Sequence, residues 1–281
     1  MRVFTKIDEI KQYIKQQKIK GKTIGFVPTM GYLHKGHLSL IRQAKQENDF
    51  IVVSIFVNPT QFGPGEDFEQ YPRDLEKDTL LAEEAGADII FNPDINELYP
   101  GGYQTYVQVE QLTQTLCGAS RPVHFKGVTT IVTKLFNIIT PDRAYFGQKD
   151  AQQSIVIQRM VEDLNMDVKI AVCPIIREND GLAMSSRNVY LNQEERKQAT
   201  VLYQSLTAAT GVIVNGERNA GKIKAMIETM IADKPLAKID YISVVDGKTL
   251  EDIRDIETQV LIALAVRFGE TRLIDNVIVE G

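Results

Sequence analysis

At 281 residues, with 43% hydrophobic and 25% charged residues, the chain has the make-up of a globular protein with ample core. A formal net charge of −5 with no long Lys/Arg cluster excludes a nucleic-acid surface as its main business. No apolar run approaches a transmembrane helix, Met1–Lys6 lacks the apolar core of a signal peptide, and Cys117 and Cys173 fit no metal or redox spacing. The expectation is a soluble, cytoplasmic protein with reduced cysteines.

Lys6–Gln17 sets Ile7, Ile10, Tyr13 and Ile14 at helical spacing and predicts an amphipathic opening helix. Its lysines, from Lys11 on to Lys22, read as a solvated face. Thr23–Val27 is β-branched and apolar and predicts a buried parallel strand, broken by Pro28 and Gly31. His34 and His37 follow three residues apart, so a helix beginning near Leu33 puts both on one face of its first turn. A helix N-terminus favours negative charge through its free N–H groups and its dipole. Gly36 lets a ligand approach the backbone, and two imidazoles there make a seat for a phosphate chain. The spacing Gly31-x4-Gly36 is that of a P-loop, but His37-Leu38 stands where Lys and Ser/Thr are required, and no G-x-G-x-x-G occurs.

Gly36–Glu47 predicts a helix with Leu38, Ile41 and Ala44 inward, and Phe50–Val57 a strand covered on both faces. Together they make a βαβ unit. Asn58–Gly65 is a loop at that strand's carboxyl end, where open α/β sheets bind ligands. Asn58 and Gln61 are candidates to hold a small polar substrate there, although ordinary turn chemistry explains Asn58 equally well. Tyr71–Gly86 predicts a helix, with Asp78 an exposed carboxylate, and Asp88–Phe91 a short strand. Asn92–Tyr103 is a surface loop. Gly118–Phe125 is irregular, with Arg121 and His124 read as solvent-facing more readily than as phosphate contacts. Val128–Ile139 is a long apolar helix.

Ala144–Phe146 predicts a strand that delivers Gly147, Gln148, Lys149 and Asp150 to the start of a helix over Ala151–Leu164. Lys149 is a mobile cation at that helix mouth, Asp150 a candidate N-cap, and Gln153 points back from one turn in. Val168–Val172 completes the sheet. After Pro174 the character changes, and Ser185, Ser186 and Arg187 can form a phosphate clamp of hydroxyl and guanidinium donors. Helices over Gln193–Thr210 and Lys222–Ala232, then strands over Ile239–Val245, Val260–Val266 and Arg272–Val279, predict a small α+β domain. The fold class expected is α/β, a Rossmann-like parallel-sheet domain over residues 1–175 with a smaller C-terminal α+β lid over residues 176–281.

Several stretches together resemble the pantothenate synthetase family. They are Pro28-Thr29-Met30-Gly31, His34-x-Gly36-His37, Val57–Phe62, Tyr71-Pro72-Arg73, Arg121-Pro122-x-His124-Phe125, Gly147–Gln153 and Met184–Asn188. They run in the expected order, which makes the resemblance specific to that family within the wider HIGH-type nucleotidyltransferases. It implies condensation of D-pantoate with β-alanine, ATP being split to AMP and diphosphate through a pantoyl adenylate, in a protein that is usually a homodimer. It further implies that Met30, Gly31, Tyr32, Leu33, His34, Lys35, Gly36 and His37 line the ATP site, with His37 the proton donor or phosphate stabiliser and His34 beside it. Gly147, Gln148, Lys149, Asp150, Ile176, Met184, Ser185, Ser186 and Arg187 are also implied to contact the nucleotide. Of these, Lys149 and Arg187 join the two histidines in catalysis. Gln61 and Gln153 are implied to hold pantoate, Gln61 also where β-alanine enters, with Asn58 a further candidate. Magnesium is implied to arrive with ATP, with water-mediated help from Asp78 as an option, and no residue set is assigned to a metal. Ala183 and Ser186 stand where the tRNA-charging relatives have lysines, which fits a family that draws that charge from Lys149.

Overall fold

The continuous apolar runs of the first half become strands of one parallel sheet. A computed structural model describes residues Met1–Gly281, which form two compact units. The first comprises Met1–Glu110, Arg121–Gly147 and Gln153–Pro174; the second comprises Gln111–Ser120, Gln148–Gln152 and Ile175–Gly281.

In the first unit the strands are β1 (Arg2–Phe4), β2 (Ile24–Thr29), β3 (Phe50–Ile55), β4 (Ile89–Phe91), β5 (Arg143–Gly147) and β6 (Lys169–Cys173). They lie in the order β1-β4-β3-β2-β5-β6, and every pair is parallel. Between them in the chain run the helices α1 (Ile7–Ile19), α2 (Lys35–Glu47), α3 (Leu75–Ala85), the short α4 (Ile95–Leu98) and α5 (Leu116–Ser120), α6 (His124–Ile139) and α7 (Ala151–Asp163). Of these, α5 falls in the second unit. The side-chain period of two sends Ile24, Phe26, Phe50 and Val52 into a core with Ile10 and Ile14 of α1 and Leu135 and Phe136 of α6. Val27, Ile51 and Val53 pack instead with Ile41 and Ala44 of α2 and Ala82 and Ala85 of α3. Helices on both faces explain why β3 is apolar throughout.

Three expectations shift, and one strand had none. The strand predicted to stop at Val27 runs through Pro28 to Thr29, with Pro28 paired in register to Ser54. Proline forfeits one ladder donor, and this near the strand's end the ladder tolerates it. The helix of the histidine motif starts at Lys35 rather than near Leu33. The segment Gly118–Phe125 is partly helical, because α5 ends at Ser120 and α6 already begins at His124. β1 escaped the sequence reading; it is three residues long, too short for a period to register.

The second unit carries α8 (Gln193–Ala199), α9 (Val201–Val214) and α10 (Ala220–Ala232) against the antiparallel sheet β7 (Ala237–Asp246), β8 (Val260–Phe268) and β9 (Thr271–Val279). Leu202, Leu206, Ile223 and Ile227 bury against Ile262, Leu264 and Val266. The single helix expected over Gln193–Thr210 is two helices meeting at Thr200. Asn192 caps α8: its Oδ1 accepts Glu194 N at 3.0 Å and Glu195 N at 2.9 Å, and the Glu195 carboxylate accepts Asn192 N in return. Asn192→Ala should lower unfolding free energy by about 1 kcal/mol, read as a shift in the denaturant midpoint at unchanged slope.

Candidate active site

β2 lies between β3 and β5, where the progress of the chain across the sheet reverses. The carboxyl ends of strands at such a point are where an open α/β sheet leaves a crevice. Thr29 closes β2 with its side chain, donating to Ser54 O at 2.8 Å and accepting Gly31 N at 3.1 Å. The chain then reverses through two left-handed residues, Gly31 at φ +84 and Tyr32 at φ +52. Gly31 must be glycine: a Cβ there would lie 2.9 Å from Asp78 Oδ2 and 3.0 Å from Ile55.

Asp78 overturns its sequence reading. It is 1% exposed, and its two oxygens accept Tyr32 N at 2.7 Å and Leu33 N at 2.6 Å. Burial pushes its carboxyl above the usual range, and the two backbone donors offset only part of that. It is a buried carboxylate, not a solvated helix one.

The histidines cap α2 and each other. His34 is the N-cap residue, its Nδ1 accepting Gly36 N at 3.1 Å, while His37 Nδ1 accepts His34 N at 3.3 Å. The ring centroids are 4.0 Å apart. A ring nitrogen that accepts carries no proton, so both imidazoles keep their proton on Nε2. The reciprocal cap thus orients both rings through Nδ1 and leaves each with its N–H donor at Nε2. Met30, Gly31, Tyr32, Leu33, His34, Lys35, Gly36 and His37 form this one continuous turn and cap, and the Lys77 ammonium lies 5.8 Å over the Tyr32 ring.

The amides of Gln61 and Asn58 assemble beside it. Gln61 closes the 3-10 turn Pro59–Gln61; its Nε2 donates to Met30 Sδ at 3.0 Å and its Oε1 accepts Asn58 Nδ2 at 3.1 Å. A thioether is a weak acceptor, so this amide is the easiest of the group to turn toward a ligand. Asn58 is committed elsewhere. It also donates to Gly127 O at 3.1 Å and accepts Thr60 Oγ1 at 3.0 Å and Tyr99 OH at 2.9 Å, which uses all four positions of its amide. It braces Gln61. Burial pushes the Tyr99 phenol up to about 12, so it stays a donor.

Arg121 and His124, read from sequence as solvent-facing, both hold the main chain of Gln61. Arg121 Nη2 donates to Gln61 O at 3.3 Å, and His124 Nδ1 lies 3.0 Å from the same oxygen, which makes that nitrogen the donor. Arg121 also grips Glu66 through two bonds of 2.7 and 2.5 Å. Burial works to raise the Glu66 carboxyl, yet the guanidinium leaves it below its usual range. Gln153 sits half-buried at the third position of α7. Its neighbour Gln152 is structural, bonding Leu112 O, Thr115 O and Cys117 N.

Within the second unit, Gln148–Asp150 form a 3-10 turn, with Lys149 Nζ 3.8 Å from the Asp150 carboxylate. Gly147, the last residue of β5 in the first unit, has open space around an added Cβ. Ile176 O accepts Met184 N at 3.0 Å, which closes a hairpin that carries Ser185, Ser186 and Arg187. Ser185 Oγ caps the following 3-10 turn by accepting Arg187 N. Two residues of β9 tether both segments. Asn276 Nδ2 donates to Gln148 O and Lys149 O, both at 2.9 Å, and fully buried Asp275 pairs with Arg177 at 2.6 and 3.0 Å. Sequence reading missed Asp275 and Asn276. The one available signal was two polar residues inside an apolar strand pattern. No group of three or more His, Cys, Asp or Glu side chains is placed to hold a metal ion.

A family model described as Pantoate-beta-alanine ligase matches residues 2–278. The pantothenate synthetase of Acetivibrio thermocellus is 61% identical over 280 residues, and that of Fervidobacterium nodosum 59% over 281, each match covering 100% of both chains. The crystal structure of pantothenate synthetase from Thermus thermophilus matches with a TM-score of 0.94 at 47% identity, over 99% of each chain. That of pantoate-beta-alanine ligase from Francisella tularensis, complexed with beta-gamma ATP and beta-alanine, matches with a TM-score of 0.80 at 35% identity, over 99% of this chain and 97% of that one.

Proposed function

The chain belongs to the pantoate-beta-alanine ligase family, and on that premise we propose how its residues divide the work of joining pantoate to β-alanine at the expense of ATP. The enzyme is a ligase that forms an amide bond. In the first step the pantoate carboxylate attacks the α-phosphorus of ATP and diphosphate leaves, giving pantoyl adenylate. In the second the β-alanine amine attacks the acyl carbon, AMP leaves, and the amine gives up a proton.

The observation that carries this reading is the interlocked cap of His34 and His37. Two Nε2–H donors fixed by backbone bonds suit charge that develops on phosphate oxygens, because they need no reorganisation as the bond forms. His37 is the donor to the reacting phosphate and His34 its partner. Met30–His37 and Gly147–Asp150 bind the nucleotide, with Ile176 near adenine. Lys149, Ser185, Ser186 and Arg187 supply cation and hydroxyl donors to the phosphates. Gln61 and Gln153 hold pantoate through neutral amides, which leave its carboxylate nucleophilic, and Asn58 acts through Gln61. Magnesium comes as the counter-ion of ATP. Residues 1–175 form the domain that binds nucleotide and pantoate, and residues 176–281 a lid that adds Ile176 and the Met184–Arg187 loop. A homodimer in the cytoplasm completes the proposal; no helix is long and apolar enough to cross a membrane.

The test is ATP–diphosphate isotope exchange with pantoate present and β-alanine withheld. Exchange that requires pantoate is the expected result. Exchange that appears only when β-alanine is added would exclude a free-standing adenylate step.

A further inference from the structure

We propose that Asp78 is a positioning residue for the adenylation step, its buried carboxylate fixing the left-handed Gly31–Tyr32 turn and so the place from which His34 and His37 present their Nε2–H donors. The inference rests on the catalytic reading of that histidine pair.

Between the end of β2 and the first turn of α2, the N–H groups of Tyr32, Leu33, His34 and Gly36 all find side-chain acceptors. The first two go to Asp78 and the last two to the histidines, with no gap between Leu33 and His34. A shift in the Asp78 bonds is therefore transmitted directly into the residue that caps the helix. Tyr32 at φ +52 is a conformation that a residue with a Cβ leaves unless its surroundings hold it. The holding group is this carboxylate, 46 residues away in sequence, on the first turn of α3.

A carboxylate is the only side chain of this length that offers an acceptor to both N–H groups at once; asparagine offers one oxygen and a clashing NH2. Nor does overall stability explain it. No cation pairs with Asp78 closely enough to offset burial, since Lys77 acts only weakly and Asp74 opposes ionisation. The folded state holds the Asp78 proton more tightly than the unfolded chain does. Ionising it therefore weakens folding relative to its protonated form, and that cost sets in as pH rises above the usual carboxylate range. A group kept at such a cost, beside a candidate catalytic turn, is better accounted for by function than by stability.

Asp78→Asn separates the two. The expected result is a fall of about tenfold or more in pantoate-dependent exchange, since displacements of the order of 1 Å at a reacting centre cost up to about 10²-fold. The pantoate KM stays unchanged, because Gln61 is held by Asn58, Arg121 and His124, and Tm moves by no more than about 4 °C. The ¹⁵N signals of the three histidines give a second readout that does not depend on turnover. His34 and His37 should leave the single Nε2–H form, and His124 should keep its own. Gly31→Ala, whose Cβ would press on Asp78 Oδ2, should reproduce both effects with the carboxylate still present. Unchanged exchange and unchanged imidazole signals in either variant would overturn the proposal. So would a parallel loss of exchange, pantoate affinity and Tm, which marks a general structural role. Failure of the unaltered protein to catalyse exchange would count against the adenylate reading alone, because the imidazole spectra would still decide the role of Asp78.

Discussion

His37→Ala should lower pantoate-dependent ATP–diphosphate exchange by on the order of 10²–10⁴-fold, the usual worth of a positioned proton donor or preorganised charge stabiliser. ATP affinity should fall no more than about tenfold, because the ground state loses one hydrogen bond among many. The asymmetry follows from the cap. His37 Nδ1 is occupied by His34 N, so in the proposed role the donor is Nε2, and it would matter most as charge accumulates in the transition state. Single-turnover rates and calorimetric ATP binding, measured side by side, separate the two. A near-normal single-turnover rate in His37→Ala would remove His37 from the catalytic role. An equal loss in binding and rate would make it a ground-state contact.

Gly127→Ala should be nearly as damaging although residue 127 touches no substrate in this scheme. An added Cβ would lie 2.3 Å from Thr60 O and 2.5 Å from Gln61 N, both backbone atoms that cannot swing aside as a flexible side chain would. The 3-10 turn Pro59–Gln61 must then lift off α6. That breaks the bond from Asn58 to Gly127 O and carries the Gln61 amide out of place. Overpacking of this kind costs about 1–3 kcal/mol in stability. We expect a loss of on the order of 10²-fold in kcat/KM for pantoate, with ATP binding retained. Gly211→Ala on α9, with open space around the added methyl group, serves as the control and should be neutral or slightly stabilising. Unchanged pantoate kinetics in Gly127→Ala would show that the Asn58–Gln61 turn is not what holds that substrate.

What was legible in the sequence is what depends on neighbours along the chain. The runs Thr23–Val27 and Phe50–Val57 announced buried parallel strands because a strand covered on both faces has no polar period to hide. The histidine motif was legible too, since the cap of α2 is made within four residues, His34 to His37. Helix limits were less so. Pro28 signalled a break that the sheet absorbed, and α6 begins at His124 without a side-chain N-cap to mark it.

The roles of Asp78, Asn58, Arg121, His124, Asp275 and Asn276 were decided only in three dimensions. As letters, Asp78 is one more acid on a helix and Arg121 one more loop cation. The fold places the first under the Gly31–Tyr32 turn and sets the second on Gln61 O and Glu66. Periodicity reports which way a side chain faces, because that is fixed by local backbone geometry. It cannot report which distant N–H or C=O a polar group will meet once both lie buried. That pairing is set by the packing of elements far apart in sequence. Once water is excluded it becomes obligatory, because an unpaired buried polar group costs more than the bond itself contributes. The sequence by itself thus determined the sheet, the family motifs and the paired imidazoles; the tertiary structure decided what holds them in place.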